Sequence, residues 1–146
     1  MALAELWFVL IAVLWIGFLV LEGFDFGVGM LHGVLGRDEA GRQTALGTIG
    51  PVWDGNEVWL IVAGAAMFAA FPGWYATMFS AMYLALILLL AALILRGVAI
   101  VLRGKRDSTG WRSRWSAALI AGSLLAPLLV GIAFGDLLHE IGRAHV

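Results

Sequence analysis

Long uninterrupted apolar blocks restrict the fold of this chain more than any other feature of its sequence. The sixteen residues from Leu6 to Leu21 carry no charge, and similar blocks recur further along the chain. Such blocks lack the alternation of a transmembrane β-barrel, and helices are the other structure that satisfies every backbone polar group in lipid. The apolar share of 62% also exceeds the ~45–50% of soluble domains. We therefore predict an all-α, polytopic membrane protein.

The apolar blocks divide into four predicted spans within a single domain, residues 1–146. The spans cover about residues 6–35, 51–71, 74–102 and 115–135 and form a four-transmembrane-helix bundle, with a kink predicted at Pro127. The first block has no basic segment before it and no small-residue cleavage site after it. We therefore expect it to remain as a span and not to be removed as a signal peptide.

The second span begins with polar residues. From Val58 to the loop signal at Pro72 the apolar segment reaches only ~21 Å at ~1.5 Å per residue, which is too short for a bilayer core of ~30 Å. The helix must therefore begin near Pro51, so that Asp54 and Glu57 lie within the membrane. Ionisable groups in a span are rare and costly, and they typically mark an ion, proton or ligand site.

Three further charged residues fall at a similar depth. Counted at ~1.5 Å per residue, Glu22 lies ~24 Å and Asp25 ~28 Å beyond Leu6, and Arg96 lies ~31 Å beyond Tyr75. Because successive spans run in opposite directions, the ends of spans one and three and the start of span two share one side of the membrane. The sequence thus predicts one charged layer formed by three helices.

The basic residues predict which side that is. Seven of the nine lysines and arginines lie in the first and third loops, whereas the second loop has no charge. They are Arg37, Arg42, Arg103, Lys105, Arg106, Arg112 and Arg114. The positive-inside rule places these loops in the cytoplasm and the N-terminus outside.

Four carboxylates in one low-dielectric layer cannot all be ionised, so some are expected to hold protons. Asp54 and Glu57 also lie in the first turns of a helix, where the dipole favours the anion, and the balance between the two effects is open. The layer suits proton uptake from the cytoplasm. The alternative is a static pair between Arg96 and a carboxylate that locks three helices together.

Small and aromatic residues surround this layer. Gly23 with Gly27, and Gly29 with Gly33, form small-xxx-small pairs that allow close helix packing or serve a function. Trp53 and Trp59 flank the acidic turn and either pack or line a path for a small molecule.

Several other functions are excluded or disfavoured. The chain has no cysteine, so disulfides and thiolate metal sites are excluded. We expect neither a metal site nor a haem bound by this chain alone, because His32 lies near a helix end and His139 and His145 follow the last span. The basic third loop is explained by topology, and we predict no nucleic-acid partner.

Four motifs carry a family resemblance. Residues 23–29 (GFDFGVG), 51–60 (PVWDGNEVWL), 68–72 (FAAFP) and 93–96 (LILR) closely resemble subunit II of the cytochrome bd-type quinol oxidases. The similarity extends over nearly the whole chain, as far as Asp136. It implies a subunit of a respiratory terminal oxidase in the bacterial cytoplasmic membrane, which oxidises quinol and reduces dioxygen to water.

The resemblance also implies a division of roles. A larger haem-bearing subunit I would hold haem b, haem d and the quinol site, and subunit II would carry no haem. Asp54 matches a position on a hydrophilic proton route from the cytoplasm, and Asp25 and Arg96 match other polar positions of that bundle. Trp59 matches a position near an oxygen route. Family members have eight spans, so this chain is expected to be a fragment, a truncated reading frame or half of a split subunit, with an unmatched tail at residues 142–146.

Two classes of function stay open from the sequence. One is a non-haem oxidase subunit that contributes proton uptake and oxygen access. The other is a stand-alone proton or cation carrier, or a structural scaffold, although four helices without an inverted repeat give the carrier little support.

Overall fold

The chain is helical throughout the computed structural model, which describes the backbone of residues 2–143 and the side chains of residues 2–140. No strand occurs among these residues, and the predicted all-α class is confirmed. The seven helices are α1 (Leu3–Met30), α2 (His32–Leu35), α3 (Glu39–Ile49), α4 (Trp53–Ala70), α5 (Pro72–Ala81), α6 (Tyr83–Arg103) and α7 (Thr109–Arg143). His145 and the end of the predicted tail lie outside the described residues.

Three of these helices, α1, α6 and α7, are long and apolar enough to cross a membrane. The second predicted span corresponds to α4, which has 18 residues and reaches ~27 Å. Its first turns carry Asp54, Asn56 and Glu57, and these polar side chains lower its mean hydropathy. The described residues thus contain three candidate membrane spans, and the fourth span stays a prediction.

The third predicted span contains two helices. α5 has Pro72 in its first turn, where a missing N–H costs nothing. It ends before Met82, whose φ of −103° and ψ of 19° interrupt the helix before α6 begins. In contrast, α7 continues through Pro127.

The helices pack around a core made mainly by α1, α6 and α7. α6 lies along α7, and α1 packs against both α4 and α7. One apolar cluster joins Phe18 and Phe26 of α1 to Leu89 and Leu93 of α6 and Ala126 of α7. A second cluster lies nearer the loops and is formed by Val28, Leu46, Ile49, Ala99 and Leu119. Many large apolar side chains point outward, as expected for helices that face lipid.

Glycines set the closest helix contacts. A Cβ added at Gly122 of α7 would lie 2.8 Å from the carbonyl oxygen of Ala92 on α6, and one at Gly29 of α1 would overlap Ser123 of α7. The predicted pair Gly23 and Gly27 has no such neighbour within 4 Å. Of the two predicted glycine pairs, only Gly29 therefore makes a close contact.

Candidate functional site

Arg96 is the centre of the predicted charged layer. Its side chain is fully buried on α6, and its Nη1 donates to Glu22 Oε1 of α1 at 2.5 Å and to Glu57 Oε1 of α4 at 2.8 Å. The guanidinium carbon also lies 4.8 Å from the centre of the Phe26 ring, within the range of a cation–π interaction. One arginine therefore connects three helices, as the sequence predicted for this layer.

A second contact extends the layer. Asn56 Nδ2 of α4 donates to Asp25 Oδ2 of α1 at 2.7 Å. Asp25 follows Glu22 by three residues and therefore lies on the same face of α1. We call Arg96, Glu22, Glu57, Asp25 and Asn56 the Arg96 network.

The hydrogen bonding of this network is incomplete. Among the described residues, no partner is found for Glu22 Oε2, Asp25 Oδ1, or the Nε and Nη2 of Arg96, and all four atoms are buried. Buried polar groups in proteins are nearly always hydrogen-bonded to protein or to ordered water. The network therefore leaves buried donor and acceptor atoms to which ordered water can bond, unlike a fully paired structural bridge.

Asp54, the first predicted proton-handling residue, lies elsewhere. Its side chain is exposed on α4, and no hydrogen bond or ion pair joins it to another residue in the described part of the chain. Glu57, one turn further along the same helix, is only 22% exposed and contacts Arg96. Asp54 therefore lies on the surface of α4, whereas Glu57 belongs to the buried charged layer around Arg96.

Trp53 and Trp59 both pack against glycines. The Trp53 ring lies over Gly97, where a Cβ would approach to 3.1 Å, and Trp59 covers Gly17 of α1. These contacts give both tryptophans a packing role beside the network. The oxygen route past them stays a prediction of the family resemblance.

Sequence reasoning missed a second buried arginine, which it had assigned to the third loop. Arg103, at the end of α6, donates from Nη2 and Nη1 to the two carboxylate oxygens of Glu39 at 2.8 and 2.9 Å. Its Nε donates to Ser116 Oγ at 2.8 Å, and that oxygen also lies 3.2 Å from Nε2 of buried His32. We call Arg103, Glu39, Ser116 and His32 the Arg103 cluster. The available signal was the spacing of seven residues from Arg96, which puts both arginines on one face of a helix.

The pKa of Glu39 follows from this contact. The hydrogen bonds from Arg103 lower the pKa of the Glu39 carboxyl below its ordinary value of 4.5, and partial burial opposes this shift. Arg112 adds a weaker attraction, with its Nε 3.7 Å from Glu39 Oε1. Glu39 is therefore an anion at neutral pH.

A cleft of about 670 Å³ lies between α4, α5, α6 and α7. Apolar side chains dominate its lining, and no histidine contributes. His32 lies in the Arg103 cluster, away from this cleft. Among the described residues, no group of three or more His, Cys, Asp or Glu side chains is arranged to hold a metal ion.

The fold and the site define a class: an all-helical membrane protein whose bundle encloses a network of one arginine, three carboxylates and an amide. The model of the family "Cytochrome bd terminal oxidase subunit II" matches residues 3–144. The chain belongs to this family, and the resemblance seen in the sequence is confirmed.

Relatives agree with this assignment. The chain is 50% identical to cytochrome bd ubiquinol oxidase subunit 2 of Bacillus subtilis over 136 residues, which cover 93% of the chain and 40% of the relative. It is 48% identical to cytochrome bd-I ubiquinol oxidase subunit 2 of Escherichia coli and 49% identical to a probable cytochrome oxidase subunit 2 of Haemophilus influenzae, in each case over 93% of the chain and 36% of the relative. The chain therefore spans well under half the length of these relatives.

Proposed function

We propose that this chain is the N-terminal, proton-conducting part of subunit II in a cytochrome bd-type quinol oxidase, which oxidises quinol and reduces dioxygen to water. The observation that carries the proposal is the buried, incompletely bonded Arg96 network in a chain of this family. The partner would be a haem-bearing subunit I with haem b and haem d. This chain would bind no haem and would supply protons and oxygen access to that partner.

The residues of the chain provide a path for protons. Asp54 is exposed and would collect a proton from the cytoplasmic side, and Glu57 lies one helical turn away. Glu57 and Glu22 both accept from the same nitrogen, Arg96 Nη1, so their carboxyl groups lie close together. Arg96 offsets the charge of a carboxylate that has released its proton, and Asn56 orients Asp25.

The topology belongs to the same proposal. Four spans, with α4 as the second, would lie in a bacterial cytoplasmic membrane with the first and third loops inside and the N-terminus outside. Single cysteines at Asp38 and Ser108 test this, since the chain has no cysteine of its own. We expect both to resist an impermeant thiol reagent in intact cells and to react after the membrane is opened. Labelling from outside intact cells would contradict the proposed topology and would place Asp54 on the outer side of the membrane, away from the cytoplasmic protons.

The direct test of function is Asp54→Asn in the assembled complex. This change keeps the size of the side chain and removes its titratable proton. We expect quinol-dependent oxygen consumption to fall at least about tenfold, with haem content and co-purification of the partner retained; this is less than the ~10²–10⁴-fold typical of a group that transfers a proton in the chemical step itself. The control is Asp136→Asn, which removes an exposed carboxylate from α7 and should leave turnover unchanged. Unchanged turnover of Asp54→Asn at every pH would exclude Asp54 from the proton path.

A further inference from the structure

A series of buried polar atoms continues from the Arg96 network toward the Arg103 cluster. Among the described residues, no hydrogen-bond partner is found for Glu22 Oε2, Asp25 Oδ1, Ser123 Oγ or His32 Nδ1. All four residues are fully buried, at 0% exposure. The first two atoms belong to the network already described, whereas Ser123 and His32 have no part in the proposed path through Asp54.

These atoms follow one face of α1. Glu22, Asp25 and Gly29 of α1 are separated by three and four residues, which is the spacing of a single helix face, and His32 begins α2 directly after the interruption of the helix at Leu31. Ser123 belongs to α7, but it lies against Gly29, where a Cβ would overlap its Oγ. Along α1 the steps from Glu22 to Asp25 and from Asp25 to Gly29 correspond to rises of about 4.5 and 6 Å. One or two water molecules span such gaps, and buried water typically bonds to polar atoms of this kind.

Pro127 leaves a backbone acceptor on α7 at Ser123. It has no N–H to donate to the carbonyl of Ser123, four residues earlier in α7. The series therefore offers a hydroxyl and a backbone carbonyl at the level of Gly29, midway between the carboxylates and His32.

The other end of the series reaches the protein surface through the Arg103 cluster. His32 Nε2 lies 3.2 Å from Ser116 Oγ, which accepts from Arg103 Nε, and Arg103 is paired with Glu39. Glu39 is 40% exposed, whereas Arg103 is 2% exposed. The Arg103–Glu39 pair therefore lies between the buried atoms and the solvent, and the Glu39 carboxylate contacts water.

We infer that these atoms line a second hydrated column, independent of Asp54, which leads from the Arg103–Glu39 pair past His32 and Ser123 to Asp25 and Glu22. Its role in proton delivery rests on the proposed function. His32 is the relay group, because an imidazole that gains a proton at one ring nitrogen can release one from the other and return to its neutral form. Water and the Ser123 hydroxyl likewise pass on one proton for each proton received.

Hydration of the column can be tested without measuring oxidase activity. In the whole complex, Ser123→Cys and Ala126→Cys are compared for reaction with a small water-soluble methanethiosulfonate. Both positions are on α7 and 0% exposed, but Ala126 belongs to an apolar cluster. We expect Ser123→Cys to react at least about tenfold faster, because only a hydrated thiol ionises readily to the reactive thiolate. If Ser123→Cys does not assemble, His32→Cys replaces it in the same comparison. Equal labelling rates at the two positions would contradict the proposed hydration of the column.

Proton delivery is tested by combining the two routes. Initial proton uptake by the complex is measured for Asp54→Asn, His32→Leu and the double variant, with His139→Leu as a control for loss of an exposed histidine. Parallel routes predict that the double variant is slower than either single variant. If the double variant takes up protons as fast as Asp54→Asn alone, His32 is not a proton relay. If Asp54→Asn has no effect but the labelling contrast persists, the column is supported and only the proposed function of Asp54 fails.

Discussion

Arg96 and Arg103 lie seven residues apart on α6, and both are buried, but their hydrogen bonding differs. Arg103 uses all three guanidinium nitrogens, with Nε bonded to Ser116 and both terminal nitrogens bonded to Glu39. Arg96 directs Nη1 alone at two carboxylates, and its Nε and Nη2 have no partner among the described residues. The protein satisfies the hydrogen bonding of the Arg103 guanidinium but not that of the Arg96 guanidinium.

The carboxylate partners of the two arginines also differ, in their exposure to water. Glu39 is 40% exposed, so water would replace Arg103 if that arginine were removed. Glu22 is 0% exposed and has only the Arg96 network to compensate its charge. A complete set of bonds to a partly exposed partner is typical of a structural contact. Incomplete bonding among fully buried ionisable groups is expected where a proton or water takes part. The comparison therefore favours a structural role for Arg103 and supports the proposed proton chemistry at Arg96.

The largest expected effect comes from removing each arginine in turn. Arg96→Leu leaves Glu22 and Glu57 without their countercharge, and we expect a loss of about 3–5 kcal/mol with little assembled complex. Arg103→Leu should cost only about 1–2 kcal/mol, because Glu39 regains water. Thermal unfolding of purified membrane complexes measures both. Adding Glu22→Gln to Arg96→Leu should recover part of the loss, since it removes one stranded carboxylate. Equal losses for the two arginines would contradict the comparison.

A smaller effect is expected from a substitution at Gly122 of α7, which packs directly against Arg96. A Cβ at Gly122 would lie 2.9 Å from Arg96 Cβ and 2.8 Å from the carbonyl oxygen of Ala92, so Gly122→Ala must separate α6 from α7. We expect destabilisation of about 1–3 kcal/mol, as for other overpacked cores, together with lower oxygen consumption. Gly131→Ala is the matched control on the same helix, because its added Cβ meets nothing within 4 Å. It should be neutral or slightly stabilising. A Gly122→Ala complex as stable as this control would show that α6 and α7 are not closely packed at Arg96.

The sequence was sufficient to predict the Arg96 layer because charges in a span have few alternatives. Counting residues along each span put Glu22, Asp25, Glu57 and Arg96 at one depth, and the structure brings all four into one network. Counting gives depth but not direction around the helix. It therefore could not show that Asp54 faces outward whereas Glu57, three residues later, faces Arg96.

The Arg103 cluster and the break in the third predicted span were missed for different reasons. Arg103 begins a run of basic residues, which is typical of a cytoplasmic loop, and its partner Glu39 lies 64 residues away in the chain. A contact between such distant residues depends on how α3 packs, and α3 is a surface helix with no long apolar block to predict its position. The break at Met82 separates two apolar helices, so hydropathy does not change across it.

The smallest expected effect is the acid sensitivity of the Arg103–Glu39 pair. Because the pKa of Glu39 in the folded protein is lower than the ordinary 4.5, the pair stabilises the fold fully above that pH. This stabilisation is lost as the pH falls through the lowered value. Since Glu39 is 40% exposed, the contribution should be only about 0.2–1 kcal/mol.

Glu39→Gln, which cannot titrate, isolates this contribution. Hydrogen exchange of the α3 backbone amides is compared between the variant and the unmodified protein. At neutral pH we expect faster exchange in the variant, and the difference should vanish when the pH falls well below 4.5, where Glu39 itself is neutral. The Arg96 network should show no matching change when Glu39 is replaced, because it contacts other carboxylates. A difference in α3 exchange that persists unchanged at acid pH would mean that packing, and not the ion pair, holds α3 against the end of α6.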